Sequence, residues 1–437
     1  MSVYIQDIRG KTNTEISNKF ASHIGTLIGN YIGPGRSILI GRDATNASQM
    51  IKRSITSGLM SAGIKVVDFG IAPLPLINYS KKAYNAQVVI TVSESHLRGE
   101  DVNIKIISSH EIPLEQRHAQ KVSWDKIGDL RYVNEGESTY QHDVLENAAP
   151  EIKNKNFLVV IDCAQGKKIS FIPEIMDTLE CETVYIGCSD NLLKRSYPEP
   201  SPTRLSLISD LVFAAGADLG VYLDNDQDRI IFINEKGDII RDQEATGIFT
   251  HFLLNENPKS TIVSSVVASL ALDDIVKKQG GKLIKTSIKH VLKEISDHKA
   301  IFGADEPGMY VFPQFQSCFD GIYALVMMLG ILAKKDVPLS QLVHKVPPYN
   351  RTVFTIPCEN EKKMNVLDQF QADYSSKYEI SRVDGIRVDL KDSFILIRPS
   401  RFEPLIRAYI ESKSEDKLHK LTESVKRKIE DISQNRC

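Results

Sequence analysis

The sequence predicts an α/β protein: repeated strand–helix units with mixed or parallel sheets, followed by a separate, smaller α+β domain at the C-terminal end. Three observations carry this expectation. Short apolar runs at 37–41, 65–69 and 87–92 are strand-like, and a stretch of helical periodicity at 48–62 separates the first two, the alternation that builds βαβ units. The same texture restarts at 156–162, after the polar stretch 146–155, and again near Gln243. Beyond Pro347 and Pro348 the texture changes. Strand-like segments at 353–357, 385–390 and 393–398 alternate with helical stretches at 361–375 and 415–432, which reads as a domain of its own.

The chain has 437 residues, enough for three or four domains at roughly 150 residues each. Lys+Arg 54 against Asp+Glu 56 leaves a net charge of -2. That balance argues against a strongly basic nucleic-acid surface and against an acidic disordered tail, so no nucleic-acid partner is expected. The longest apolar runs, such as 323–333, fall short of the ~20 residues a bilayer span needs, so no membrane partner is expected either. The first ten residues show no basic region followed by an apolar run, and the six cysteines form no C-x-x-C pair. A reduced, cytoplasmic protein is the expectation.

Three segments carry chemistry. In Asp224-Asn-Asp226-Gln-Asp228-Arg229 the carboxylates alternate. On an extended loop, alternate side chains point the same way and could converge on one hard divalent cation such as Mg²⁺, with Arg229 beside them as a fork for phosphate. An EF-hand is disfavoured because Arg229 stands where its sharp turn requires glycine and the flanks at 219–223 and 230–234 read as strands. A solvated turn between strands is the bland alternative. Ser93-Glu-Ser95-His96 follows the strand ending at Val92, with Lys105 ten residues beyond Ser95. By itself this is an ordinary loop or helix cap, and it is not a G-x-S-x-G nucleophile elbow. Arg398-Pro-Ser400-Arg401, with Arg407 downstream, could cradle a phosphate or simply surround a turn. Arg9, Arg42 and Asp43 are individually uninformative.

Taken in order, these segments resemble the α-D-phosphohexomutase superfamily of phosphoglucomutases, phosphomannomutases and phosphoglucosamine mutases. The resemblance covers nearly the whole chain. Gln6-Asp-Ile-Arg-Gly10 resembles the family's YDIRG segment, and Gly41-Arg-Asp43 with 61–70 its next block. Ser93 to His96, followed by Asn103-Ile-Lys105, is similar to the phosphoserine loop TASHNP…NGIK, and the register matches Ser95 rather than Ser93 to the phosphoserine. The acidic loop is similar to DGDGDR, residues 302–308 to the sugar loop, Asp320-Gly321 to the block after it, and 384–404 to DGVRV…RPSGTEP.

The resemblance implies four domains around a central cleft: three related α/β domains at 1–150, 151–245 and 246–347, and a smaller, mobile α+β domain at 348–437. It implies a mutase in which a phosphoserine donates its phosphoryl group to a sugar monophosphate, the bisphosphate turns over, and its other phosphate returns to the serine. Ser95 would carry the phosphate, with His96 beside it. Asp224, Asp226 and Asp228 would hold Mg²⁺ together with an oxygen of phosphorylated Ser95. Arg229 and Arg9 would stabilise the transferring group, and Lys105 would be the acid/base. Asp305 and Glu306 would read sugar hydroxyls, and Arg398, Ser400, Arg401 and Arg407 would grip the other phosphate. A sugar bisphosphate activator is implied, acting on a monomer or homodimer.

Several positions depart from the family pattern. Glu94 replaces a small residue, Leu97-Arg98 replaces Asn-Pro, Asp305-Glu306-Pro307 lacks the family's serine, Met309 sits where histidine is common, and Arg401-Phe402 replaces Gly-Thr. These changes leave the sugar open and keep three alternatives in view: a phosphosugar-binding paralogue with altered catalysis, a phosphopentose mutase, and a phosphosugar phosphatase.

Overall fold

The computed structural model describes residues 3–95, 99–115, 119–133, 136–164, 171–187, 201–400 and 403–433. Within them the chain forms four sheets, three mixed and one antiparallel. The first contains β1 (Tyr4–Lys11), β2 (Ser37–Arg42), β3 (Lys65–Ile71), β4 (Ala86–Glu94), β5 (Asp101–Ser108) and β6 (Leu130–Tyr132), in the order β1-β5-β4-β2-β3-β6. The second contains β7 (Leu158–Asp162), β8 (Glu182–Ile186), β9 (Leu219–Leu223) and β10 (Ile230–Asn234). The third contains β11 (Thr261–Ser265), β12 (Lys282–Thr286), β13 (Phe302–Asp305) and β14 (Met309–Val311).

These three sheets share one motif. The orders β5-β4-β2-β3, β10-β9-β7-β8 and β14-β13-β11-β12 superimpose term by term. In each, two parallel pairings are followed by an antiparallel hairpin. The repeated texture of the sequence is thus a repeated topology. The loop closing each hairpin begins at the carboxyl end of a parallel strand, where α/β folds expose backbone and side chains to ligands. Those hairpin loops hold Ser95, the acidic run 224–229, and Glu306-Pro307-Gly308.

The fourth sheet is antiparallel throughout: β15 (Asn350–Pro357), β16 (Ile380–Ser381), β17 (Ile386–Leu390), β18 (Ser393–Pro399) and β19 (Leu405–Ser412), in the order β15-β19-β18-β17-β16. Helices Lys363–Ser375 and Glu415–Ser433 cover one face and bury Val366, Phe370, Val425 and Ile429 against Ile395, Ile397, Ile406 and Ala408. The helix expected from 361 begins instead as a 3-10 turn at Asn360–Lys362.

Period-two alternation builds the site's floor. On one face of β4 and β5, Val88, Ile90, Val92, Val102, Ile104 and Ile106 pack under helices Asn18–Ile32 and Asn46–Ser61. On the other face the register stacks Asp7, Lys105 and Thr91 in one row and Arg9, Asn103 and Ser93 in the next. Among the described residues, no helix is long and apolar enough to cross a membrane.

Candidate active site

A cavity of about 470 Å³ lies where the four sheets meet. Arg9 and Lys105 line it from the first sheet, Asp224, Asp226, Asp228 and Arg229 from the second, Asp305 and Glu306 from the third, and Arg398, Ser400 and Arg407 from the fourth. Residues nominated by motif across some 400 positions of sequence thus share one space. Ser95 is fully buried beside it and does not line it, whereas Glu94 does. His96 and Arg401 lie outside the described residues.

The loop before the serine is held from β2. Asp43 accepts the Glu94 amide at 2.6 Å through Oδ2, and the Thr45 amide and hydroxyl at 2.9 and 2.8 Å through Oδ1. The Ser95 amide donates to Asp101 O at 2.9 Å across the hairpin. Asp43, uninformative in sequence, is therefore a support of the serine loop.

The acidic loop is a tight turn and not the extended segment that its alternation suggested. Gln227 takes φ 55, and its amide donates to Asp224 O at 3.1 Å. Neighbours on both sides hold the turn: Leu74 N donates to Asp226 O at 3.1 Å and Gly321 N to Gln227 O at 2.9 Å. The expected extended backbone is corrected to a turn, while the three carboxylates remain close enough to act on one another's acidity. As they stand, with Lys105 paired to two of them, they form no ready-made metal cage, and neither does any other group of three His, Cys, Asp or Glu among the described residues. Lys105 instead reaches across from β5, pairing with Asp228 and lying 3.3 Å from Asp226 Oδ2, which also accepts the Ser93 hydroxyl at 3.0 Å. Lys105 is thus a buried strand residue, not a solvated loop charge.

The charges remain poorly matched. Burial, followed by the Asp228 and Asp226 charges, pushes Asp224 well above the usual carboxylate range. Burial raises Asp226 too, against the pull of Lys105. Burial also works against Asp228, but Lys105 and Arg229 outweigh it and hold Asp228 low. Burial alone would lower Lys105; Asp228, Asp226 and Asp7 reverse this and keep it an ammonium. Asp228 Oδ1 is buried without a hydrogen-bond partner, and so is Arg229 Nε. Crowded carboxylates with an orphaned oxygen form an all-oxygen donor set that suits a hard cation such as Mg²⁺, and a buried unpaired guanidinium donor suits a phosphate oxygen.

In the third sheet's loop, burial raises Asp305 to about 6, against the pull of Ser265 and Arg398. Glu306 is bound by Arg351, whose NH1 lies 2.8 and 2.6 Å from its two oxygens. Gly308 N donates to Asp242 Oδ1 at 2.7 Å. In the fourth, Arg398 donates to Asp384 at 2.5 Å and Arg407 to Glu403 at 3.0 Å. Lys363 Nζ bonds both Ser400 O and Glu403 O at 2.6 Å, tying the two ends of the loop to the helix behind it.

Motif reasoning missed several of these residues. Glu111, Lys289 and Tyr409 line the cavity, as do Asp7 and Asp384, which lie within the matched segments but were given no role. Asp7 was within reach of the alternation that places it beside Arg9 on β1. Lys289 sits in the 3-10 turn Ile288–His290 and carries no local signal.

Comparison with known proteins agrees with this architecture. Four family models described as phosphoglucomutase/phosphomannomutase domains I, II, III and C-terminal match residues 1–125, 138–237, 242–349 and 355–428. A probable phosphoglucosamine mutase of Methanococcoides burtonii is 31% identical over 434 residues, covering 96% of this chain and 97% of its own. One from Thermococcus gammatolerans is 30% identical over 442 residues, covering 97% of each. A phosphoglucomutase/phosphomannomutase family protein of Burkholderia thailandensis superposes with a TM-score of 0.84 at 21% identity, covering 98% of this chain and 97% of its own.

Proposed function

The chain belongs to the phosphoglucomutase/phosphomannomutase family and is therefore an intramolecular phosphotransferase, and from that premise we propose that it interconverts the 1- and 6-phosphates of a hexose or hexosamine through a phosphorylated Ser95. The observation that carries the reading is the single cavity that gathers Lys105, Arg229 and the acidic loop at one end and the arginines of the fourth sheet at the other. A doubly phosphorylated intermediate needs this polarity: one phosphate at the reacting end, one gripped by cations. Glucosamine phosphates are the first substrates to test, because relatives covering 96% and 97% of this chain are named probable phosphoglucosamine mutases. The domain roles follow as serine loop (1–150), metal loop (151–245), sugar loop (246–347) and phosphate loop (348–437).

In the forward step a substrate hydroxyl attacks phosphorus, the bond from phosphorus to Ser95 Oγ breaks, and the hydroxyl proton and a proton for Oγ must be handled. Lys105 is held as an ammonium by Asp226 and Asp228: it gives a proton to the leaving Ser95 Oγ, and the amine so formed takes up the proton lost by the attacking hydroxyl, restoring the ammonium. Arg229 and Arg9 offer guanidinium donors to the phosphoryl oxygens in flight. Burial lowers Arg9, partly offset by Asp7. Asp305 accepts from sugar hydroxyls, while Arg398, Ser400 and Arg407 hold the second phosphate. Asp224, Asp226 and Asp228, together with phosphorylated Ser95, would hold Mg²⁺, which would supply the positive charge that offsets the phosphoryl group's. A sugar bisphosphate would load Ser95 initially.

The test is a panel of hexose, hexosamine and pentose 1-phosphates, read for both isomerisation and free phosphate. Isomerisation of at least one hexose or hexosamine phosphate, abolished in Ser95→Ala, supports the reading. Release of inorganic phosphate instead would assign a phosphatase. One observation favours a second reading, a phosphosugar-binding paralogue without turnover: Ser95 is fully buried while the Glu94 carboxylate lines the cavity. Binding without conversion across the whole panel would establish it.

A further inference from the structure

The fourth sheet meets the sugar loop through Arg351, which no motif singles out. Arg351 lies on β15 directly opposite Glu411 of β19. The register puts both on the face that also presents Phe394, Leu396 and Arg398 of β18 and Arg407 and Tyr409 of β19. The phosphate cradle and Arg351 therefore project from the same face of one rigid sheet. Arg351 is 12% exposed, yet its guanidinium is almost fully engaged. NH1 takes both oxygens of Glu306, NH2 donates to Val267 O, and Nε lies 3.4 Å from Glu411 Oε2. Glu411 Oε1 in turn accepts from Ser269 Oγ at 2.9 Å and Leu270 N at 2.8 Å, capping helix Leu270–Lys278. Arg387 adds bonds from NH1 to Val266 O at 2.6 Å and Ala268 O at 3.0 Å. The seam between the third and fourth sheets thus joins these polar bonds to a buried apolar patch of Val266, Val267, Phe394 and Leu396, and one side chain in it reaches the sugar loop itself.

We propose that Arg351 is a positioning residue that fixes the sugar loop to the sheet carrying the phosphate cradle, and that Glu306 serves as its counter-ion, leaving Asp305 as the loop's sugar-reading carboxylate. This deepens the proposed function and rests on it. A phosphosugar is gripped at two points, its phosphate and its hydroxyls, so the spacing between Asp305 and the arginines Arg398 and Arg407 governs whether the reacting end is aligned. Misplacement by about 1 Å in such an arrangement costs roughly 100-fold in rate.

The test compares the full-length wild type with R351M and R351K, using Mg²⁺, a sugar bisphosphate and the best substrate of the panel. R351M is expected to lose roughly 100-fold in kcat/KM, mostly in kcat, and R351K to recover about tenfold of that. The inhibition constant for inorganic phosphate, which probes the cradle alone, is expected to stay within about threefold, because no cradle contact is removed. An R351M enzyme within about threefold of wild type in kcat/KM overturns the proposal, and so does a phosphate constant that weakens in parallel, the mark of a collapsed domain. If R351M does not fold, R351K decides alone by the same split between unchanged phosphate binding and reduced kcat. Hydrogen exchange of the amides at 302–311 gives a readout independent of turnover: faster exchange in R351K supports the link, and unchanged exchange overturns it. A wild type inactive on every substrate would refute the mutase reading while leaving this exchange test of Arg351 standing.

Discussion

Asp242 offers a sharp test of the electrostatics behind the sugar loop. Its Oδ1 accepts the Gly308 amide at 2.7 Å, and burial, then the neighbouring Glu306 carboxylate, raises it to about 7. A carboxyl raised from its unfolded value near 3.8 is neutral in the native state while the unfolded chain is already ionised. The stability it contributes is present at low pH and is lost as pH rises from about 4 to about 7. Asp242→Asn keeps the acceptor for Gly308 and removes the charge. A shift of about three units corresponds to about 4 kcal/mol at full development. Asp242 keeps some contact with solvent, so about 2 kcal/mol is the working figure after discounting for screening. Most of that develops between pH 5 and pH 7.5. Thermal melts of wild type and variant at those two pH values are the assay. Asp242→Asn should raise the melting temperature at pH 7.5 by roughly 4–8 °C, at 2–4 °C per kcal/mol, and by clearly less at pH 5. Equal shifts at both pH values, or none at pH 7.5, would refute the reasoning.

Three further outcomes follow from the same geometry. Lys105→Met strands the buried Asp226 and Asp228 carboxylates, so the variant should be less stable by about 3–5 kcal/mol in chelator, with Mg²⁺ recovering part of it; melts with and without the ion check this. Arg398→Met removes a charge-assisted phosphate contact of about 1.5–3 kcal/mol, so KM for the sugar phosphate should rise roughly 10- to 100-fold, measured by initial rates. Gly308→Ala should be strongly destabilising in denaturant titration: Gly308 has φ +63, and an added Cβ would meet Ile230 O at 2.2 Å. The left-handed conformation alone costs about 1 kcal/mol or more, before that clash.

Much of the fold was legible because its signals are local. Apolar runs separated by helical periodicity locate β2, β3, β4, β15, β17 and β18 to within a few residues, whereas β16 and β19 were not read. The kinship of the three α/β domains emerged only from pairing order, since register is a long-range property that one sequence does not print. Motifs nominated Arg9, Lys105, the acidic loop, Asp305 and the arginines of β18 and β19, all of which line one cavity, because their order along the chain encodes which sheet each belongs to. The acidic loop was misread where backbone conformation overrode alternation. Gln227 in the left-handed region turns the chain, and Lys105 from another sheet enters between the carboxylates. Lys363, Arg351 and Asp242 were invisible for a different reason. Each acts on a site loop from outside it, through contacts between residues 37 to 66 positions apart in sequence.

The central claim is that phosphate travels through Ser95, and phosphopeptide mass spectrometry of the chain treated with a sugar bisphosphate and Mg²⁺ tests it most directly. One phosphoryl group on Ser95, discharged when a sugar monophosphate is added and missing from Ser95→Ala, is the predicted result. Isomerisation that proceeds with Ser95 unmodified, or with the phosphate on another residue, would contradict it.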